Sequence, residues 1–356
     1  MSNSRAFELL ANEEFVEQLC AGIATATERV YIQVMTFDGD KAGQGVADRL
    51  IEAAQRGVDV RVTIDLFAFR YVSDTRSTRD EVVEEAAATH EMFDRLEASG
   101  VKVTYVGPWG PLLLSGPVRS HKKIFVVDDA VYLGGINISD HNFEWFDLVV
   151  RTRDADTVSE TVADFHSTRR GERGAINSAI VTNEQVEVAF DEMVMSAKSE
   201  ILIVSPYVLD IDLEQRLAKA TAPSKTVVTP KSSNYLTLRL SDYYMTERLL
   251  RRGVKLETFT DFFHAKFLVV DRKRVLIGSS NFGRHSFRCN QEICVVIEDE
   301  EFVEKLLATL PPTEPVDHEF SKRRYWLGCA AEYYLFSGIN VLEKVVVPRA
   351  SILASR

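Results

Sequence analysis

A group of polar and small residues occurs twice in the chain at nearly the same spacing. Each copy has a histidine, a lysine two residues later, an aspartate, two small residues and an asparagine. The first copy consists of His121, Lys123, Asp128, Gly134, Gly135 and Asn137. The second copy consists of His264, Lys266, Asp271, Gly278, Ser279 and Asn281. Six matched positions are hard to obtain by chance. The pattern therefore indicates a duplicated chain whose copies share one function.

The spacing of histidine and lysine places the two side chains on one face of a strand. Side chains at positions i and i+2 share a face of a sheet, so each imidazole projects beside one ammonium. If the two copies pack about a pseudo-twofold axis, both histidines and both lysines converge on one pocket. Such a pocket is a phosphate-binding site that contains its own acid and base.

Histidine suits both steps of a phosphoryl transfer because its ring titrates near neutral pH. A neutral imidazole attacks phosphorus, and an imidazolium donates a proton to the leaving alcohol. Two histidines in one pocket shift each other's pKa in opposite directions, which gives one ring in each role. Lys123 and Lys266 then neutralise the nonbridging phosphoryl oxygens. The amides of Asn137 and Asn281 donate to the same oxygens.

No metal or other cofactor is expected at this site. A protonated lysine cannot ligate a metal, and the histidine and lysine spacing lacks the additional histidine or cysteine of a zinc site. The four cysteines show no C-x-x-C spacing, so neither a zinc site nor a disulfide framework is indicated. This cysteine usage is typical of a protein of the reducing cytoplasm.

The paired motifs resemble the HKD signatures of the phospholipase D superfamily. The resemblance extends from about Val30 to Ile297, and the surrounding phrases are similar to those of bacterial cardiolipin synthases. The supporting phrases are residues 31–37, AAQRGVDVRVTIDLF at 53–67, SPYV at 205–208 and LLRRGVKLETF at 249–259. After the second asparagine the superfamily commonly has L-D-x-R-S, whereas this chain has FGRHS, with a histidine where the arginine is usual.

The resemblance also implies roles for individual residues. It implies that His121 is the nucleophile that forms a phosphohistidine and that His264 is the general acid, with the reverse order left open. It further implies that a carboxylate of each half reaches the histidine of the other half. Glu292 then pairs with His121, and Asp147 pairs with His264. The alternative for either acid is a surface carboxylate.

Other polar residues near the motifs have less specific patterns. Asp128 and Asp271 complete the catalytic signature, and we expect them to brace the loop after each strand. His141 and His285 lie near the motifs but lack a lysine two residues later. They are therefore weaker catalytic candidates, since a lone histidine is usually structural or exposed.

Helices and strands alternate along both halves of the chain. In the first half the patterns predict helices at 13–26, 45–56 and 77–99 and strands at 30–37, 58–66, 101–106, 123–128, 130–134 and 148–151. In the second half they predict helices at 186–197, 213–220 and 240–252 and strands at 201–205, 226–229, 255–259, 266–271 and 275–278. Alternating elements build sheets covered by helices on both faces. We therefore expect an α/β protein with two pseudo-twofold-related α/β/α sandwich halves of the phospholipase D type.

The domain division follows from the repeat. We place an N-terminal half at residues 1–172, a C-terminal half at 173–310 and a tail at 311–356. The tail carries aromatic and aliphatic residues within 325–347 beside the basic run 322–324. It is predicted either to lie as a helix in a membrane interface or to pack its apolar side onto the core.

Charge and hydropathy limit the partners of the chain. A net charge of −11 over 356 residues argues against a nucleic-acid partner, because affinity for polyphosphate backbones comes largely from many lysine and arginine contacts. No signal peptide opens the sequence, and no run of about twenty apolar residues predicts a transmembrane helix. We therefore expect a cytoplasmic protein that contacts the inner face of the cell membrane peripherally.

An apolar segment precedes the first motif. Residues 107–118 include Trp109 and Leu113 among further leucines, glycines and prolines. This segment is predicted either to form a lipid channel beside His121 or to pack as a buried loop under the site. Phe67, after the second strand, adds an apolar wall at the same edge. Trp109, Leu113 and Phe67 are therefore the candidate substrate-binding residues.

Together these features favour a phosphatidyltransferase of the cardiolipin synthase type, with a phospholipid such as phosphatidylglycerol as substrate. Such an enzyme takes a phosphatidyl group onto histidine and passes it to a second alcohol. Two enzymatic alternatives remain: a phospholipase D that uses water and releases phosphatidic acid, and a nuclease-type phosphodiesterase. A lipid-binding scaffold with a degenerate site is disfavoured, because the histidine and lysine of both motifs are intact.

Overall fold

Two mixed β-sheets, each covered by helices, form the framework of the protein. The structure is a computed structural model that describes residues 7–70, 79–107, 119–172, 178–207, 212–230 and 246–316, with Arg323, Trp326 and Leu327. Within these residues the first sheet has seven strands and the second has eight.

The first sheet is built from the N-terminal half. Its strands are β1 (Phe7–Ala11), β2 (Arg29–Val34), β3 (Asp59–Asp65), β4 (Lys102–Val106), β5 (Ile124–Val127), β6 (Ala130–Gly134) and β7 (Leu148–Thr152). They lie across the sheet in the order β1-β7-β6-β5-β2-β3-β4. β2, β3 and β4 run parallel, whereas β5, β6 and β7 form an antiparallel meander beside β2. The central strands are apolar and almost wholly buried, as expected for a sheet covered on both faces.

The second sheet repeats this arrangement. Its strands are β8 (Ile180–Thr182), β9 (Glu200–Val204), β10 (Ser224–Val228), β11 (Lys255–Phe259), β12 (Phe267–Val270), β13 (Arg274–Gly278), β14 (Ile293–Glu298) and β15 (Thr313–Pro315). They lie in the order β8-β14-β13-β12-β9-β10-β11-β15. This is the order of the first sheet with one added edge strand, so the duplicated sequence pattern corresponds to a duplicated topology.

Helices connect the strands and cover the sheets. They are α1 (Asn12–Thr25), α2 (Lys41–Gln55), α3 (Leu66–Arg70), α4 (Arg79–Ala98), α5 (Asp140–Glu144), α6 (Ala155–Arg169), α7 (Glu184–Ser196), α8 (Leu213–Lys219), α9 (Arg284–Arg288) and α10 (Glu300–Ala308), and residues 246–251 are also helical. Asp40, Asp154 and Asp299 cap α2, α6 and α10 by accepting hydrogen bonds from backbone amides of the first turn.

The two halves share one core. α1, α2 and α4 pack on the outer face of the first sheet, and α7 and α8 pack on the outer face of the second. Between the sheets lies a third apolar cluster, to which both sheets, α6 and α10 contribute. Within it the rings of Tyr31 and Phe165 stack with centroids 5.0 Å apart. Because the inner faces of both sheets are buried against this common cluster, the halves hold a fixed relative position.

The predicted fold class is confirmed, since the chain forms two related α/β/α halves. Each predicted helix and strand corresponds to an observed element, although residues 240–245 of one predicted helix lie outside the described residues. The patterns missed the edge strands β1, β8 and β15, the strand β14 and five helices. α6 was missed because its buried face includes Thr157, Thr161, Asp164 and Thr168, which leave no apolar stripe.

The limits of the domains and the character of the tail stay predictions. Apart from the three residues named above, the chain beyond residue 316 lies outside the described residues. Trp326 and Leu327, which belong to the predicted tail, are exposed. Within the described ranges, no helix combines the length and the apolar character needed to cross a bilayer.

Candidate active site

The two motif histidines lie at the entrance to equivalent strands. His121 precedes β5, and His264 precedes β12. The backbone amide of His121 donates to the carbonyl of Gln291 at 2.9 Å, and that of His264 donates to the carbonyl of Phe146 at 2.8 Å. Each histidine is thus bound to the segment that leads into the last meander strand of the opposite half. Both histidines therefore lie at the junction of the halves, where they are only 8% and 7% exposed.

Each histidine ring contacts a buried carboxylate from the opposite half. His121 Nδ1 lies 2.9 Å from both carboxylate oxygens of Glu292. His264 Nδ1 lies 2.9 Å from Asp147 Oδ2. An ionised carboxylate only accepts hydrogen bonds, so an Nδ1 beside an ionised carboxylate donates and leaves the lone pair on Nε2. The structure thus brings together the pairs that the resemblance implies.

The motif lysines hold the same position relative to the two histidines. Lys123 Nζ donates to the backbone carbonyl of His121 at 2.8 Å, and Lys266 Nζ donates to that of His264. Both lysines are buried, and burial lowers the pKa of Lys123 to about 8 and that of Lys266 to about 7. Burial also lowers the pKa of His264, and the charges of Lys266, Lys123 and His121 lower it further. These four groups therefore lie close enough to share one electrostatic environment.

The two carboxyl groups differ in their protonation. Burial raises the pKa of Asp147 to about 7, against the opposing charge of Lys266. Burial acts on Glu292 in the same direction, but the charge and hydrogen bond of His121 outweigh it and hold the pKa of Glu292 below its usual value. Burial lowers the pKa of His121 itself to about 4, against the attraction of Glu292. Glu292 is therefore ionised at neutral pH, whereas Asp147 is near its midpoint.

The hydrogen bonds of the carboxylates explain this difference. Glu292 accepts from the hydroxyl of Ser279 and, at 3.3 Å, from the side-chain amide of Asn290, in addition to His121. Asp147 accepts from the backbone amide of Leu148 at 2.8 Å, in addition to His264. More donors stabilise the charged form of a carboxylate more strongly.

The small residue before each motif's asparagine segment, Gly135 or Ser279, suits the size and hydrogen bonding of the carboxylate beside it. A Cβ atom on Gly135 would lie 2.5 Å from Asp147 Oδ2, so only glycine leaves room for this carboxylate. At the equivalent position of the second half, Ser279 carries a hydroxyl that reaches the longer Glu292. The difference between the two motif copies is therefore a difference in how each carboxylate is held.

The motif asparagines also lie at this end of the sheets. Asn137 Oδ1 accepts from the backbone amides of Met35 and Thr36 at 3.2 and 3.3 Å. Its carbonyl is thus occupied by the end of β2. Asn281 Oδ1 is buried and has no hydrogen-bond partner within the described residues.

The motif aspartates lie at the far ends of their strands from the histidines. Asp128 follows β5 and accepts from the backbone amides of Thr27, Glu28 and Arg29. Asp271 follows β12 and accepts from the backbone amides of Lys198, Ser199 and Glu200. Both residues have a positive φ, of 48° and 55°. These amide hydrogen bonds outweigh burial and hold the pKa of both carboxyls below the usual value. The carboxylates bind the loops that begin β2 and β9 and do not enter the histidine pocket.

Two buried ion pairs beside the first motif were not predicted. Lys122, which points away from the pocket, donates to the Asp164 carboxylate at 2.7 and 2.8 Å, and both side chains are fully buried. Arg119 donates from Nε to Asp65 Oδ1 at 3.0 Å, and the backbone amide of Ser120 donates to Asp65 Oδ2 at 2.8 Å. The sequence signal was a second lysine inside the motif, but its partner lies 42 residues away.

The predicted substrate-binding residues are not placed in the pocket by the described part of the chain. Trp109 and Leu113 lie outside the described residues, as does the side chain of Phe67, whose backbone belongs to α3. The ring of His141 packs 4.6 Å from that of Trp145, which in turn lies 5.7 Å from the ring of His264, so His141 lies beside the pocket. His285 lies in α9 and is exposed.

Sequence comparison finds relatives over most of the chain. A family model described as "Cardiolipin synthase, PLD-like domain" matches residues 19–169 and 190–310. The major cardiolipin synthase of Bacillus subtilis is 26% identical over 345 residues, which cover 87% of this chain and 68% of that protein. Cardiolipin synthase A of Pseudomonas aeruginosa is 24% identical over 343 residues, which cover 87% of this chain and 67% of that protein.

Structure comparison finds the same two-sheet fold in solved proteins. The phosphatidylserine synthase of Haemophilus influenzae superposes with a TM-score of 0.71 at 15% identity, over 97% of this chain and 96% of that chain. The polyphosphate kinase of Porphyromonas gingivalis superposes with a TM-score of 0.60 at 13% identity, over 94% of this chain and 55% of that chain. At these identities the likeness is one of fold.

Proposed function

Because the chain belongs to the cardiolipin synthase, PLD-like domain family, we propose that it is a phosphatidyltransferase that passes a phosphatidyl group between alcohols through a phosphohistidine. The observation that carries this proposal is the junction of the halves. There, two histidines, each held by a carboxylate of the other half, lie within the field of two buried lysines. A nucleophile, an acid and two cations are the groups that a phosphodiester exchange requires.

The reaction has two displacement steps. In the first, Nε2 of one histidine attacks phosphorus, the bond from phosphorus to the leaving alcohol breaks, and the other histidine protonates that alcohol. In the second, the deprotonated histidine takes the proton of an incoming alcohol, whose oxygen forms a new bond to phosphorus as the phosphorus–nitrogen bond breaks. The enzyme returns to its starting protonation state after each cycle.

The protonation of the two pairs supports His121 as the nucleophile and His264 as the acid. With Glu292 ionised and the pKa of His121 near 4, this pair carries no spare proton at neutral pH and acts as the base. The pKa of Asp147, raised to about 7, means that the pair of Asp147 and His264 keeps a proton to higher pH than the pair of Glu292 and His121 does. That proton is available to a leaving alkoxide.

The buried lysines support an anionic substrate. Their lowered pKa values measure the cost of holding two cations away from water. A phosphodiester anion between them offsets this cost and raises the pKa of both lysines and of His264. Substrate binding therefore strengthens both the cationic site and the acid. We assign Asn137 and Asn281 to the same oxygens as amide donors, and Asp128 and Asp271 to the bracing of the strands.

The proposed donor and acceptor are membrane lipids, phosphatidylglycerol in the first instance, so peripheral contact with the inner face of the cell membrane is part of the proposal. The test is to incubate the purified protein with phosphatidylglycerol vesicles in the presence of a chelator and to follow lipids by mass spectrometry. Cardiolipin and glycerol are the expected products. Phosphatidic acid alone would mean that water is the acceptor and would contradict transfer between alcohols. No turnover of any phospholipid would contradict the phosphodiester chemistry as well.

A further inference from the structure

The two histidines have different neighbours at equivalent positions of the two halves. Phe262 is equivalent to Arg119, since each lies two residues before its motif histidine. Trp145 is equivalent to Asn290, since each lies two residues before the carboxylate that crosses to the other half. The matching backbone bridges at the junction fix this correspondence. Two aromatic side chains in one place therefore replace a guanidinium and an amide in the other.

Trp145 and Phe262 form an aromatic rim beside His264. Their ring centroids are 4.6 Å apart with an interplanar angle of 61°. The ring of Trp145 lies 5.7 Å from that of His264. Both aromatic side chains are only partly buried, whereas His264 is buried. The rim therefore borders the approach to this histidine and is not part of the closed core.

Beside His121, the two equivalent side chains among the described residues are polar. The guanidinium of Arg119 makes two contacts with Asp65 Oδ1, at 3.0 Å from Nε and 2.8 Å from a terminal nitrogen. The amide of Asn290 donates to Glu292 Oε1 at 3.3 Å. These side chains present charge and hydrogen-bonding groups in place of rings.

The proposed reaction places both alcohols next to His264. Displacement at phosphorus is in line, so the leaving oxygen departs on the side opposite the nucleophile. With His121 as the nucleophile, that oxygen leaves beside His264 and takes its proton. The incoming alcohol enters from the same side, returns a proton to His264 and displaces His121. The aromatic rim thus borders the space that the exchanged alcohol occupies.

We infer that Trp145 and Phe262 form the alcohol subsite and favour an alcohol over water as the acceptor. The inference rests on the proposed function and adds to it the residues that separate transfer from hydrolysis. The carbon face of a glycerol unit packs on the rings, and the indole N–H is a donor for its hydroxyls. Water has no carbon surface to bury, so the rim stabilises the bound alcohol and keeps water from the phosphohistidine.

The test is the ratio of cardiolipin to phosphatidic acid made from phosphatidylglycerol vesicles. Trp145→Asn places beside His264 the residue type that the equivalent position beside His121 has. We expect the ratio to fall roughly four- to fifteenfold, as for the lost burial of one or two carbon groups. Trp145→Phe keeps a ring and is expected to retain most of the ratio. The backbone of Trp145 donates to His141 and accepts from Asn12, and these bonds do not depend on its side chain. Circular dichroism checks that each variant folds.

Each outcome decides the matter. A folded Trp145→Asn that loses both products equally, with its ratio unchanged, overturns the alcohol subsite while the transfer activity of the unchanged protein upholds the proposed function. An unchanged protein that makes no cardiolipin contradicts the proposed function and the subsite together. Should Trp145→Asn not fold, Phe262→Leu removes the second ring with an apolar replacement. Its ratio is expected to fall in the same direction, and an unchanged ratio would again overturn the subsite.

Discussion

The first half and the second half hold their histidines by the same bonds but surround them with different side chains. In both halves the histidine amide donates across the junction, and the lysine donates to the carbonyl of its own histidine. The first half has Lys122, paired with Asp164, where the second half has the buried Ala265. The two halves therefore share their backbone frame, whereas protonation and substrate contacts belong to one half or the other.

Replacing the histidines one at a time should have the largest effect on activity and should separate the roles of the two halves. We expect His121→Asn and His264→Asn each to lower lipid turnover about 10⁵-fold or more, since each removes a whole chemical role. A p-nitrophenyl phosphodiester distinguishes the roles of the two histidines, because its leaving group needs no acid. On that substrate His264→Asn should still release nitrophenol and accumulate a phosphoenzyme, seen by intact-protein mass spectrometry, whereas His121→Asn should do neither. The opposite pattern would exchange the roles of nucleophile and acid.

The pH dependence of kcat/KM should show the difference in protonation between the two pairs of histidine and carboxylate. Replacement of either carboxylate should give the next largest loss of activity. In the unchanged protein kcat/KM should rise with pH through about 4, as His121 loses its proton and becomes able to attack. It should fall again through about 7, as the pair of Asp147 and His264 loses the proton that the leaving alcohol needs and Lys266 loses its charge.

Amide replacements should act on different parts of that profile. Glu292→Gln and Asp147→Asn should each cost roughly 10³-fold at the optimum, because a neutral amide no longer fixes the ring or stabilises its cation. Asp147→Asn should in addition move the falling limb to lower pH, since the imidazolium of His264 loses its counter-charge. Glu292→Gln should leave that limb in place. A shift of the falling limb in Glu292→Gln alone would contradict the assignment of the acid.

Exchange of the small motif residues should give the smallest effect. Ser279→Gly gives the second half the residue of the first and removes one hydrogen bond to the ionised Glu292. We expect roughly a tenfold loss in kcat/KM, as for one hydrogen bond to a charged group. Ser280→Gly is the control, since Ser280 is equally buried but its hydroxyl accepts from the backbone amide of Phe282. Equal losses in both variants would mean that the hydroxyl of Ser279 has no particular part in holding Glu292.

The polar frame of the site could be predicted from the sequence because its residues recur at fixed spacing. Alternation along a strand puts histidine and lysine on one face, and the resemblance supplied the crossed carboxylates Glu292 and Asp147. The aromatic rim could not be found in this way. Trp145 and Phe262 lie 117 residues apart in the chain and meet only across the junction. Nor does a sequence pattern show that the side-chain carbonyl of Asn137 accepts hydrogen bonds from backbone amides at the end of β2.

The apolar cluster shared by the two sheets has a consequence for how such a site diverges. In a symmetric pair of identical subunits, every substitution appears on both sides of the axis, so a ring beside one histidine is a ring beside the other. Here the pair is joined in a single polypeptide, and the buried cluster keeps its members together permanently. The sequence of each half can therefore diverge independently of the other. A site that began with two equivalent histidines can thus become asymmetric. One side then binds the phosphoryl group covalently, and the other side admits the alcohol.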